Sequence, residues 1–174
     1  VFLNDLSLKQ WVLLFRDSNN EIRGFSTLVL NPNNYQNETY DVLYSGDTII
    51  ASEFRGSLEL MKGFCYASGV IKRINQGKRL FWLLTSKGHS TYLCLTLFSK
   101  TYFPDLNQIH PHLKNLVNTI CHSIFPDQWD SDKGLLIPSS SDGSLTSELA
   151  IRSLTRRHNP QVNYFLNKNP NYHQ

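Results

Sequence analysis

The residues that could do chemistry gather first around a polar elbow, Ser52-Glu53-Phe54-Arg55-Gly56-Ser57. It follows Asp41 to Ala51, where Val42, Leu43, Ile49 and Ile50 are bulky or β-branched, the mark of a strand. After it, Leu60, Phe64, Ala67, Ile71 and Ile74 recur at three- and four-residue steps, the inner face of a helix. A strand passing through a Gly- and Ser-containing elbow into a helix aims backbone N–H groups beyond the strand. The helix dipole favours an anion there, and phosphate is the usual one. The same unit also serves plain packing in α/β proteins. Ser86-Lys87-Gly88-His89-Ser90 places His89 in a second loop, where an imidazole titrates near neutrality or is simply solvated. Asp47 and Glu53, near the strand's end, are candidate bases or solvated carboxylates. His110 and His112 lack the spacing that puts two ligands on one helical face, so no metal is assigned.

These residues need elements to position them. Trp11 to Phe15 and Gly24 to Leu30 read as two antiparallel strands joined by the turn residues Asp17-Ser18-Asn19-Asn20. Asn31 to Thr39 reads as a polar loop, with Pro32 stopping the second strand. Gly77 ends the central helix, and Arg79 to Thr85 is apolar enough for a strand buried on both faces. Strand, helix and strand then make a parallel crossover, whose ligands bind beyond the carboxyl ends of the strands. Thr91 to Tyr102 reads as a helix with Leu93, Leu97 and Phe98 inward and Pro104 after it. A further helix starts near Pro111, with Leu113, Leu116, Val117, Ile120 and Ile124 as its stripe. Leu135 to Ile137 reads as a late strand and Pro138 to Ser144 as a Ser-rich loop. Leu145 to Arg157 reads as a helix, and Val162 to Leu166 as a short apolar element of open type.

A chain of 174 residues suits one domain, expected over 1–166 with a polar tail over 167–174. A hydrophobic share of 40% is that of a folded protein, and a charge of +3 is too slight to argue for nucleic acid. Cys65, Cys94 and Cys121 are odd in number and set among apolar neighbours. They read as reduced core thiols of a cytoplasmic protein. No stretch is apolar for long enough to suggest a membrane helix, and none resembles a signal peptide.

Ile50-Ala51-Ser52-Glu53-Phe54-Arg55-Gly56 resembles the Val-x-Pro-Glu-Tyr-Arg-Gly run of the GNAT superfamily of N-acetyltransferases. The order of elements is similar from Trp11 to Pro104, although the family's first strand and helix are shortened or missing before it. The resemblance implies an acyl-CoA N-acyltransferase-like α/β fold. Its mixed sheet has an antiparallel hairpin, then strand, helix and parallel strand, with helices on both faces. It further implies acetyl-CoA or another acyl-CoA as cofactor and an unidentified amine as acceptor; the slight charge and the lack of a long apolar run argue against nucleic-acid and membrane partners. The cofactor would meet Ile50, Ala51, Arg55, Gly56, Ser57 and Leu58. In this family the protein orients the thioester, polarises its carbonyl with a strand amide and moves protons.

Two further places depart from the family's pattern. Its cradle, Arg/Gln-x-x-Gly-x-Gly/Ala, falls on Arg55 to Leu60, so Leu58 and Leu60 stand where small residues admit a pyrophosphate. Glu59 adds negative charge between them. The tyrosine that protonates the leaving thiolate falls on Phe98, which has no proton to give. Tyr92 and Tyr102 lie one to two helical turns away and, with His89, are the candidates for proton transfer; an aromatic on a helix also simply packs. The alternative is a catalytically inactive GNAT-like binding module. Arg152, Arg156, Arg157 and His158 form a basic helix face, solvated or turned to an anionic partner.

Overall fold

Pro32 does not stop the second strand. In a computed structural model, which describes residues 2–138 and 147–171, that strand runs on to a tight turn at Gln36-Asn37. The chain divides into two compact units, Val1–Thr85 and Ser86–Gln174.

The first unit holds a short helix α1 (Phe2–Ser7) and four strands, β1 (Trp11–Arg16), β2 (Ile22–Tyr35), β3 (Glu38–Ile50) and β4 (Arg79–Leu84). Helix α2 (Glu59–Ile74) connects β3 to β4. The sheet order is β1-β2-β3-β4: β1–β2 and β2–β3 are antiparallel, and β3–β4 is parallel. This is the mixed α/β sheet expected, an antiparallel hairpin followed by strand, helix and parallel strand.

The β1–β2 turn forms because Asp17 Oδ1 accepts from the N–H groups of Asn19 and Glu21 at 2.9 and 3.0 Å. The Asn31–Thr39 stretch, expected as a loop, instead lengthens β2 and β3. Gln36 and Asn37 both have positive φ, the two-residue turn whose twist matches a hairpin. Pro32 is tolerated because β2 there has left β1 behind, at the Trp11–Leu28 pair. Leu30 N–H points to that edge, bonding Gln10 Oε1 at 2.8 Å, and Pro32, two residues on, turns its nitrogen the same way. No ladder bond is lost.

β3 carries a bulge. Ser26 pairs with Thr48 and Leu28 with Ser45, so Gly46 and Asp47 together face Thr27. A Cβ on Gly46 would come within 2.8 Å of Thr27 Oγ1 and 3.4 Å of Lys9 Nζ, so glycine is what fits. Thr27 is fully buried, and its Oγ1 has no hydrogen-bond partner among the described residues.

Leu28, Val42 and Leu43 of the sheet and Met61, Phe64, Ala67 and Ile71 of α2 are buried, with Phe64 against Trp82 at 5.2 Å between ring centres. The helix is thus rotated slightly from its expected face: Met61 replaces Leu60, and Ile74, 71% exposed, lies outside. β4 is half-buried rather than buried on both faces, because it is the edge of its sheet.

The second unit contains α3 (His89–Phe98), α4 (Pro111–Ile124), a two-residue ladder of β5 (Trp129–Asp130) with β6 (Leu135–Leu136), α5 (Ser147–Thr155) and α6 (Pro160–Lys168). The element of open type near Val162 is therefore a helix. Asn159 caps it, Oδ1 accepting from the N–H groups of Gln161 and Val162, and Pro160 occupies the first turn. Tyr92, Val162, Phe165 and Leu166 form its core with α3. α3 is shorter than expected, and Leu97 (73% exposed) and Phe98 face outward where they were expected inward. Buried instead are His89 and Tyr92. Of the three thiols, only Cys121 is a core residue, its pKa pushed up to about 12 by burial; Cys94 is half-buried and Cys65 exposed. The Ser-rich stretch over 139–144, residues 145–146 of the expected helix and the tail from 172 lie outside the described residues.

Gly46→Ala should destabilise the chain by about 1–3 kcal/mol, as overpacking does. Adding Thr27→Ala, which removes the facing hydroxyl, should return part of that loss. Urea unfolding of the two single variants and the double variant measures this coupling, and strictly additive effects would contradict the packing described.

Candidate functional site

The bulge has a consequence at the end of β3. The last β3–β4 pair is Ser45 with Leu84, and β3 continues through Gly46 to Ile50 with β2 as its ladder partner. Bulged strands bend and twist more strongly, which parts β3 from β4 at this point. Ala51 N–H donates to Arg23 O at 2.8 Å, so strand alternation turns the N–H and C=O of Ile50 to the opposite, open edge. Ile50 O accepts there from Arg55 Nε at 3.3 Å. Ile50 N–H is thus a strand amide aimed into the gap, whereas the Ala51 amide expected beside it is already engaged. Ala51 O also accepts, from Phe54 N–H at 2.9 Å.

A short 3-10 turn, Ser52–Phe54, then leads into α2. Gly56 has φ +87°, a left-handed backbone that favours glycine, and a Cβ on it would meet nothing within 4 Å. The space above the loop is open. Leu58 is the N-cap of α2 and offers no side-chain cap, leaving the first-turn N–H groups without an intrahelical acceptor. This is the positive end of a sixteen-residue helix. The charge expected from Glu59 is offset by Lys62, whose Nζ lies 2.6 Å from its carboxylate. Leu58 is 59% exposed at the very position where a small residue would admit a pyrophosphate. Glu53 is held ionised: its own backbone N–H and then the Ser52 hydroxyl, at 3.0 Å, lower its pKa. That makes it a weak base. Asp47 lies 4.0 Å from Lys9 Nζ.

In the second unit, the three candidates for proton transfer separate into two places. His89 is not a loop residue. It opens α3, is buried, and its Nδ1 lies 2.6 Å from the Oγ of fully buried Ser153. Burial, then Arg156 and Arg152, lower its pKa, so it stays neutral. Two residues of the basic face thus act on a buried histidine. Tyr92 and Tyr102 come together around Gln161. Tyr92 Oη donates to Gln161 Oε1 at 3.0 Å, and Gln161 and Asp105 are the hydrogen-bonding neighbours of Tyr102. Burial raises the pKa of both phenols, that of Tyr92 most strongly, with added repulsion from Asp105. Phe98 is exposed.

Asp105, Gln161 and Tyr164 complete this cluster, and the sequence carried no signal for them. Asp105 Oδ1 accepts from Asn107 N–H at 2.8 Å and its Oδ2 lies 3.4 Å from His110 Nε2; these contacts lower its pKa. Tyr92, Asp105 and Tyr164 help to line a cavity of about 300 Å³. Among the described residues, no three His, Cys, Asp or Glu stand together as a metal site, and no helix is long and apolar enough to cross a membrane.

No protein-family profile and no curated protein matches the sequence. Several solved structures are similar. A Pyrococcus furiosus protein provisionally assigned as an acetyl transferase has TM-score 0.45 and 12% identity over 63% of this chain and 72% of its own. A Trypanosoma brucei acetyltransferase has TM-score 0.40 and 15% identity over 63% and 76%. Glucosamine-6-phosphate N-acetyltransferase from Arabidopsis thaliana has TM-score 0.38 and 13% identity. The match spans 54% of this chain and 63% of that enzyme, under two thirds of its length. These likenesses are partial, and nothing about activity follows from them.

The buried, neutral His89 sets a pH dependence. Its folded pKa lies below the ordinary 6.5, so the unfolded chain binds the proton more readily. Its contribution is fully present above that value and is lost as pH falls through it. Thermal unfolding across pH 7.5 to 5 should therefore show a falling midpoint. His89→Gln should flatten that slope, and an unchanged slope would refute the assignment.

Proposed function

We propose that this chain is an acyl-CoA-dependent N-acetyltransferase acting on an amine, with residues 1–166 as its single domain. The observation that carries the reading is the open end of β3. There a strand amide, Ile50 N–H, faces a gap beside the uncapped first turn of α2 and the clear space over Gly56. These groups suit the two demands of such a substrate: a donor for a polarised carbonyl, and amides for phosphate.

Bound there, acetyl-CoA would supply an activated acetyl thioester. The work of the chain is positional and electrostatic. Ile50 N–H offers its hydrogen bond to an acyl oxygen. Arg55 lends positive charge, and the backbone from Gly56 to Leu58 approaches anionic oxygens, with Ser57 able to add a hydroxyl. Of the two phenols Tyr102, less buried than Tyr92, is the one assigned to pass a proton. His89 has no part in this reading, because its nitrogens face Ser153 and Ser90. A cytoplasmic setting accords with three free cysteines.

A second reading is an acetyltransferase-like module that binds a partner without turnover. Its support is specific: Leu58 stands where a small residue would admit a pyrophosphate, Phe98 cannot donate, and the Tyr92 hydroxyl is engaged by Gln161.

Calorimetric titration with acetyl-CoA, with desulfo-CoA as the control for thiol exchange, separates the two readings. Saturable binding that Gly56→Val weakens by about tenfold or more would support the cradle. The melting temperature shows whether that variant is still folded. Undiminished binding in Gly56→Val would place the cofactor elsewhere. Absence of binding by wild type would favour the module. Release of CoA thiol with acetyl transferred to an amine of a test panel, reduced in Tyr102→Phe, would identify the proton donor.

A further inference from the structure

Strand β1 is an outer strand of its sheet: β2 lies on one side, and no strand among the described residues pairs with the other. Strand alternation says which of its groups face outward. Arg23 O accepts from Ala51 N–H on the β3 side, so odd-numbered residues of β2 turn their amides to β3 and even-numbered ones to β1. Leu28, Ser26 and Gly24 thus bond their register partners Trp11, Leu13 and Phe15. Val12 and Leu14 turn N–H and C=O the other way, to the open edge.

This edge lacks the features that keep strands apart. Trp11 to Phe15 holds no proline and no charge, and Val12 and Leu14 are 44% and 50% exposed. An apolar row continues inward on their face, since Leu14 pairs with Phe25, and Phe25 with exposed Ile49. β4, the opposite edge, is only half-exposed after Arg79. An apolar outer strand with open amides is a template for one more strand.

The sequence says which strand fits. The register of β1 becomes irregular between Phe15 and Arg16, so its regular part is Trp11 to Phe15, with Leu13 at the midpoint. Turned about a two-fold axis through Leu13, this stretch is its own complement. Val12 meets Leu14 of the second copy and Leu14 meets Val12, the two residues whose amides already face outward. Trp11 meets Phe15, and Leu13 meets Leu13, so every cross-strand pair is apolar. Beyond them Arg16 falls opposite uncharged Gln10, and Lys9 opposite Asp17. No like charges meet, and one opposite pair lies at each end.

We infer that β1 docks on β1 of a second copy of this chain, antiparallel and centred on Leu13, joining two sheets into one. The surface belongs to the first unit and does not depend on the acyl-CoA reading.

Sedimentation equilibrium of the full chain over about 10 to 500 μM should show a reversible monomer–dimer equilibrium. Amide hydrogen exchange followed by NMR should slow at Val12 and Leu14 as concentration rises; this needs no variant. Val12→Lys should weaken dimerisation by about tenfold or more, because it brings an ammonium to the apolar edge. Adding Leu14→Glu should restore it, since the register sets position 12 of each copy against position 14 of the other. Melting at low concentration, where every form is monomeric, checks that the variants keep the fold. A monomer throughout the range would overturn the inference. So would a dimer whose Val12 and Leu14 amides exchange as fast as in the monomer, or one that Val12→Lys leaves intact. A double variant as weak as the single one would overturn it too.

Discussion

The first unit depends on a strand that serves two neighbours of opposite direction for different lengths. β3 is bonded to antiparallel β2 along its whole course but to parallel β4 only as far as Ser45. Between those two obligations sits the bulge at Gly46 and Asp47. A bulge adds twist locally, and added twist separates a strand from the neighbour it is about to leave. The result is an open sheet edge inside a fold rather than at its rim. Open edges are usually a liability, because unpaired amides recruit other strands. Here the edge is short and is followed at once by a helix N-terminus, which suits a ligand better than another strand.

Much of this was legible in the sequence, because its causes are local. The period of α2 from Leu60 to Ile71, the turn chemistry of Asp17 to Asn20 and Gly77 after the helix each act within a few residues. Where the sequence reading failed, tertiary partners overrode local preference. Pro32 signals a strand end only if its missing N–H matters, and the absence of β1 beyond Leu28 makes it irrelevant. Gln36-Asn37 lacks the glycine that marks a two-residue turn, so the lengthened hairpin gave no sign. The bulge was invisible, since it is a mismatch in counts between two strands and not a property of either.

The site residues divide in the same way. Arg55 and Gly56 could be singled out because one contiguous motif holds them, and Gly56 has the positive φ, +87°, that favours glycine. His89 was read as a loop residue because Lys87 and Gly88 precede it, yet Ser153 supplies the partner that permits its burial. No spacing rule links positions so far apart. Gln161, which accepts from Tyr92 across a similar separation, was missed for the same reason.

The tyrosines show why a phenol in a polar cluster is not by that fact reactive. A proton donor must be able to lose its proton, and burial opposes the phenolate that remains. Asp105 makes this worse, since a neighbouring carboxylate repels a second negative charge. Tyr92 therefore reads as structure: buried in the core between α3 and α6, its hydroxyl held by Gln161 and its ring against Phe165 at 5.8 Å. Tyr102 shares the same repulsion but keeps more contact with solvent. Tyr102 and Tyr164 are half-buried, whereas Tyr92 is buried. The same physical argument applies to Tyr92 and His89: a group buried and partnered has already been given a structural role by the fold.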